Sequence, residues 1–143
     1  DKKLAKPMAQ VLSNLGVTRG VAVCGEDGLD EITLTGETDV YEIRFGEITS
    51  YTITPEQFGL RRCALQELVG GTPEGNAQIS KDILTGKEKG PKRDIVVMNA
   101  GMSLYLGKDG ISLEEGIQMA QDILDSGKAY EKLQEFVKLT NEV

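Results

Sequence analysis

Apolar positions recur at helical spacing near both ends of the chain and alternate with polar ones between them. Met8, Val11, Leu12 and Leu15 form a stripe. Pro7, suited to the first helical position, and Gly16, a natural stop, predict a helix over Pro7–Leu15. Gly20-Val21-Ala22-Val23-Cys24 is a continuous apolar run of the kind that becomes a buried strand. Further on, Ile32 and Leu34 alternate with Thr33 and Thr35, and Gly36-Glu37 offers a tight turn. Tyr41, Ile43 and Phe45 share one face of a second strand, Gly46-Glu47 has the Gly-X form of a type II′ turn, and Ile48 to Ile53 returns. The pattern predicts a three-stranded meander.

The remainder reads as helical. Thr72-Pro73 opens a helix that ends near Gly86. Asp94 to Leu106 is apolar on most sides (Ile95, Val96, Val97, Met98, Met102, Leu104), which predicts a buried helix rather than a strand on grounds of length. Ser112-Leu113-Glu114-Glu115 is a capping box, with Leu113, Ile117, Ala120 and Leu124 behind it. Gly127 ends that helix, and Ala129, Leu133, Phe136 and Thr140 mark a last amphipathic one.

Composition narrows the chemistry. The chain has 143 residues, one domain's length, and no apolar run approaches the ~20 residues of a membrane span. A net charge of −7 argues against nucleic acid as a partner, because such binding rests on Lys and Arg neutralising phosphates. It leaves phosphate ligands open, since a bound divalent cation can supply the positive charge. There is no histidine, which removes imidazole bases, His-ligated metals and Ser-His-Asp catalysis. Cys24 and Cys63, 39 positions apart, match no CxxC or zinc spacing and read as ordinary thiols of a reduced, cytosolic protein.

The densest chemistry lies in Glu26-Asp27-Gly28-Leu29-Asp30-Glu31, four carboxylates within six residues. Like charges so crowded are costly unless water or a cation compensates. An acidic surface turn and a magnesium site are both open on composition, while the twelve-residue spacing of a calcium-binding loop is missing. Other candidates have bland readings. Gly70-Gly71-Thr72 is loop-to-helix punctuation rather than a phosphate cradle, and Lys87 to Arg93 a solvated basic loop. Arg61-Arg62 is surface, while the methionines and Tyr41, Tyr51 and Tyr105 are packing residues.

Six segments in order change the weighting of the acidic run. They are Lys6-Pro7-Met8-Ala9-Gln10-Val11-Leu12 with Leu15-Gly16-Val17, Asp27-Gly28-Leu29-Asp30-Glu31-Ile32-Thr33 and Thr54-Pro55-Glu56-Gln57-Phe58-Gly59-Leu60, then Gly70-Gly71-Thr72-Pro73-Glu74-Gly75-Asn76-Ala77, Asn99-Ala100-Gly101 and Leu124-Asp125-Ser126-Gly127-Lys128-Ala129. Together they resemble anthranilate phosphoribosyltransferases over essentially the whole chain. The resemblance implies an α/β fold: the C-terminal portion of a nucleoside phosphorylase/phosphoribosyltransferase-like catalytic domain, one truncated domain over 1–143, with a short β-meander and packed helices. It implies transfer of phosphoribosyl from phosphoribosyl pyrophosphate to the amino group of anthranilate, releasing pyrophosphate, in tryptophan biosynthesis. It also implies Mg2+ held by Asp30 and Glu31, and a cytoplasmic homodimer for the intact enzyme. Cys24 departs from the family, which commonly has histidine there.

The family's glycine-rich phosphoribosyl pyrophosphate loop, its anthranilate-contacting residues and its small helical domain are not in this sequence, and the first residue is Asp1 rather than Met. The expectation is a fragment without turnover of its own. The rival readings are a pyrimidine-nucleoside phosphorylase, which lacks the Asp-Gly-Leu-Asp-Glu run, and a nucleic-acid-binding relative, which should be basic.

Overall fold

The computed structural model describes residues 2–142, which fall into two compact units. The first comprises residues 2–65 with 106–109, the second residues 66–105 with 110–142.

In the first unit, helix α1 (Lys2–Asn14) packs on an antiparallel sheet of β1 (Arg19–Gly25), β2 (Thr38–Arg44) and β3 (Glu47–Ile53), in that order. The helix starts five residues before the expected Pro7, and Pro7 lies inside it, forfeiting one backbone bond. Gly16, at φ 91, stops it as expected, with Gly16 N–H bonding Ser13 O and Val17 N–H bonding Leu12 O. The expected stripe is only partly right. Ala5 and Ala9 are the buried residues, whereas Leu4, Met8, Val11 and Leu15 are exposed.

The meander has three strands, but not the three expected. The run Gly20–Cys24 becomes β1 and pairs with β2, Val23 opposite Val40. Ile32–Thr35 forms no strand; Ile32, Thr33 and Leu34 are buried consecutively. Its polar groups go elsewhere: Thr33 N–H to Thr38 Oγ1, Thr35 N–H to Thr33 Oγ1, and Leu34 O to Cys63 N–H. The hairpin turn is also shifted by one residue. Arg44 pairs with Glu47, so Phe45 and Gly46 are the turn, and their φ values of 49 and 89 make it type I′, not II′.

The second unit is helical: α2 (Leu65–Leu68, starting at the end of the first unit), α3 (Pro73–Leu84), α4 (Pro91–Gly107, its last two residues counted with the first unit), α5 (Leu113–Asp125) and α6 (Lys128–Asn141). Thr72 caps α3, accepting Gly75 N–H at 3.2 Å. The capping box of α5 forms as expected: Glu115 N–H donates to Ser112 Oγ and Ser112 N–H to Glu115 Oε2. Val97, Met98 and Met102 of α4 join Ile117, Ala120 and Leu124 of α5 in the buried set. α6 has no buried residue, and Phe136, on the expected apolar face, is 63% exposed. No helix among the described residues is long and apolar enough to cross a membrane.

The basic stretch is a correction. Lys92 and Arg93 lie in the first turn of α4, and Arg93 is 8% exposed, paired with Asp125 at 3.0 Å and Asp94 at 3.8 Å. Lys92 donates to the carbonyls of Glu67 and Val69, and Lys89 to Asp125. Lys92 and Arg93 thus brace the helices, whereas Lys87 and Lys89 are exposed in the loop before α4, as expected.

Candidate metal loop

The acidic run occupies the turn from β1 into β2. Gly25 N–H bonds Leu29 O at 2.9 Å, Gly28 N–H bonds Gly25 O, and Gly28 takes φ 88. Glu26 N–H donates to Glu37 O at 2.8 Å, and Glu37 N–H returns to Glu26 Oε2 at 3.3 Å. Gly25 leaves no space for a side chain, because a Cβ there would lie 2.5 Å from Asp27 Oδ1 and 3.0 Å from Thr33 Cγ2.

The four carboxylates divide into two kinds. Asp27 is consumed by the loop: Oδ1 accepts Leu29 N–H at 3.0 Å, and Oδ2 accepts the hydroxyls of Thr33 at 2.5 Å and Thr35 at 2.6 Å. Partial burial pushes its carboxyl up, but these three donors and its own backbone N–H together outweigh that and hold it below the ordinary carboxylate value. Glu26 is tied to Glu37. Asp30 and Glu31, by contrast, are exposed and have no hydrogen bond or ion pair to another described residue. Desolvation, then the charges of Asp30 and Asp27, raise the Glu31 carboxyl. The like-charge part of this, from Asp30 and Asp27, is what a cation would relieve.

Asp30 and Glu31 are adjacent, as the sequence requires, and the fold leaves both free. Among the described residues there is no group of three or more His, Cys, Asp or Glu able to enclose a metal by itself. The donor set is therefore two hard oxygen groups with open positions. That fits Mg2+, which commonly takes one or two carboxylates and completes its shell with phosphate oxygens and water. Asp30 is also among the residues lining a groove of about 370 Å³, with Leu4, Met8, Leu12, Val23 and Cys24. Cys24 itself is buried, its Sγ 3.6 Å from Gly25 O, a small packed thiol.

The other sequence candidates do not join this loop. Gly71 is bound to its own helix, N–H to Asn76 Oδ1 at 2.7 Å and O to Asn76 Nδ2, so it is punctuation. Arg62 is exposed and pairs with Glu56 at 2.8 Å. Tyr51 donates to Glu42 Oε2 within the sheet. What sequence reasoning missed is the role of Thr33 and Thr35. Their alternation with Ile32 and Leu34 carried the strand signal instead.

A family model described as glycosyl transferase family, a/b domain, matches residues 1–130. The anthranilate phosphoribosyltransferase of Endomicrobium trichonymphae is 51% identical over 99% of this chain, and that of Ruminiclostridium cellulolyticum 49% identical. The chain spans about two fifths of their length, 42% and 41%. Among solved structures, the Thermus thermophilus anthranilate phosphoribosyltransferase superposes with TM-score 0.88 at 42% identity, covering 96% of this chain and 40% of that one. The Saccharomyces cerevisiae enzyme in complex with phosphoribosyl pyrophosphate and magnesium gives 0.90 at 27% identity, covering 100% and 41%. On the match over residues 1–130, this chain belongs to the glycosyl transferase family, a/b domain.

Proposed function

We propose that this chain supplies the metal-binding side of an anthranilate phosphoribosyltransferase, with Asp30 and Glu31 holding Mg2+ against the pyrophosphate of phosphoribosyl pyrophosphate. The observation that carries the reading is the division of the acidic loop. Its first two carboxylates are engaged in building the turn, and the next two stand exposed and unpaired on it. The 51% identity to the Endomicrobium enzyme and the magnesium complex of the yeast neighbour support the choice of ion and substrate.

Magnesium held by Asp30 and Glu31 would supply positive charge that stabilises a pyrophosphate leaving group. Asp30 and Glu31 bind and orient, and neither abstracts a proton. The incoming arylamine of anthranilate needs no strong base, which accords with a chain that lacks histidine. The protein is read as part of a cytoplasmic, homodimeric enzyme of tryptophan biosynthesis, in keeping with the family resemblance. Its charge of −7 disfavours the nucleic-acid-binding alternative.

Calorimetry tests the metal assignment. Magnesium pyrophosphate is expected to bind this chain, and Asp30→Ala to weaken that binding about tenfold or more. Equal binding by both would refute the assignment.

A further inference from the structure

We infer that Asp27 is the positioning residue of this loop: it sets the backbone from which Asp30 and Glu31 project and does not itself contact the ion. The inference rests on the proposed metal role of that pair. Both oxygens of the Asp27 carboxylate face inward, one on Leu29 N–H and the other on the Thr33 and Thr35 hydroxyls. Three of its roughly four acceptor sites are thus filled by the chain.

The contact with Thr33 closes a ring. Thr33 is fully buried between Ile32 and Leu34, so it is anchored in the core of the first unit. Asp27 ties the exposed start of the loop to that anchor, and Asp30-Glu31 lies on the segment spanned between them. Thr33 Oγ1 also accepts Thr35 N–H at 3.0 Å, which extends the tie toward β2. Removing the carboxylate leaves Leu29 N–H without its acceptor and the Thr33 and Thr35 hydroxyls, 3.2 Å apart, with only each other, and it frees the segment bearing the two metal carboxylates.

A direct ligand and a positioning residue respond differently to an amide. In Asp27→Asn the amide oxygen keeps Leu29 N–H and the NH2 group donates to the threonine hydroxyls, which can accept. The ring is kept and the charge is lost. Asp27→Ala loses both.

The experiment is local amide hydrogen exchange over residues 25–37 of this chain, combined with calorimetric titration by magnesium pyrophosphate, for the parent, Asp27→Ala, Asp27→Asn and Asp30→Ala. Asp27→Ala is expected to speed exchange at Leu29 about tenfold, as loss of a charge-assisted hydrogen bond gives, and also to speed it at Thr35, whose N–H donates to the Thr33 hydroxyl that Asp27 holds, while the β2–β3 ladder keeps its protection. It is expected to weaken binding about tenfold, with Asp27→Asn close to the parent in both. Unchanged exchange in Asp27→Ala overturns the inference. So does an Asp27→Asn variant that restores protection yet binds as poorly as Asp27→Ala, which would make Asp27 a ligand. If Asp30→Ala binds as the parent does, the metal reading falls by itself, and the exchange data still decide whether Asp27 holds the loop.

Discussion

A methyl group on Gly101 would lie 2.6 Å from the Cα of Ile117, so α4 and α5 meet backbone to backbone at this point. The contact is reciprocal, since a Cβ on Gly116 would lie 2.5 Å from Gly101 O. Replacing a helical glycine by alanine gains about 1 kcal/mol in intrinsic propensity. Here the clash is with backbone, which cannot rotate away, and overpacking of this kind costs about 1–3 kcal/mol. Gly101→Ala is therefore expected to lower the urea midpoint. An unchanged or raised midpoint would contradict the packing described for α4 and α5.

Gly25 makes the corresponding demand in the acidic loop. Its missing side chain is the space occupied by Asp27 Oδ1 and the Thr33 methyl. Gly25→Ala is expected to displace Asp27 and to weaken magnesium pyrophosphate binding about tenfold, the usual effect of disturbing a ligand's support. Calorimetry on this variant beside the parent decides it, and parent-like affinity would show that the close approach is irrelevant to the site.

The Asp27 carboxyl is held below its ordinary value by hydroxyl and amide donors that outweigh its partial burial. A carboxyl depressed in the folded state contributes stability above its unfolded value, and this is lost as pH falls through the folded value. With the unfolded value near 3.9, the loss should begin below about pH 5. The group is largely exposed, so the contribution should stay under about 1 kcal/mol. Urea midpoints of the parent and Asp27→Asn should therefore converge as pH is lowered through this range. A gap that widens in acid would reverse the sign and contradict the assignment.

Ser112 closes the N-terminus of α5 with Glu115. Ser112→Ala should cost about 1 kcal/mol, and Ser112→Asn should restore most of it. Thermal melts of the three proteins suffice. Equal melting temperatures would mean that the cap carries no stability.

That cap was legible because it is local: Ser112 and Glu115 name their own partners three positions apart. The stops at Gly16 and Gly86 were legible for the same reason, and both take positive φ. The hairpin turn was misplaced by one residue because type I′ favours Asn-Gly, and Phe45 at φ 49 is an unusual occupant. The strand expected at Ile32–Thr35 failed because its alternation reflects a buried loop whose threonines turn back to Asp27. The same fact limited the site. The four carboxylates were visible in the sequence, and the resemblance pointed to Asp30 and Glu31. Which carboxylates are spent on the turn depends on tertiary contacts from Thr33 and Thr35. The burial of Arg93 beside Asp125, 32 positions away, was hidden for the same reason.

In the proposed function, Asp30 and Glu31 serve phosphoribosyl transfer to anthranilate. This chain spans 42% of the length of the Endomicrobium enzyme. The most direct test replaces the matching part of that enzyme with this chain and follows the loss of anthranilate fluorescence with phosphoribosyl pyrophosphate and magnesium. The chimera is expected to turn over, and a double Asp30→Ala, Glu31→Ala substitution to lower kcat/KM about 100-fold or more. A chimera whose turnover is indifferent to that double substitution would contradict the account.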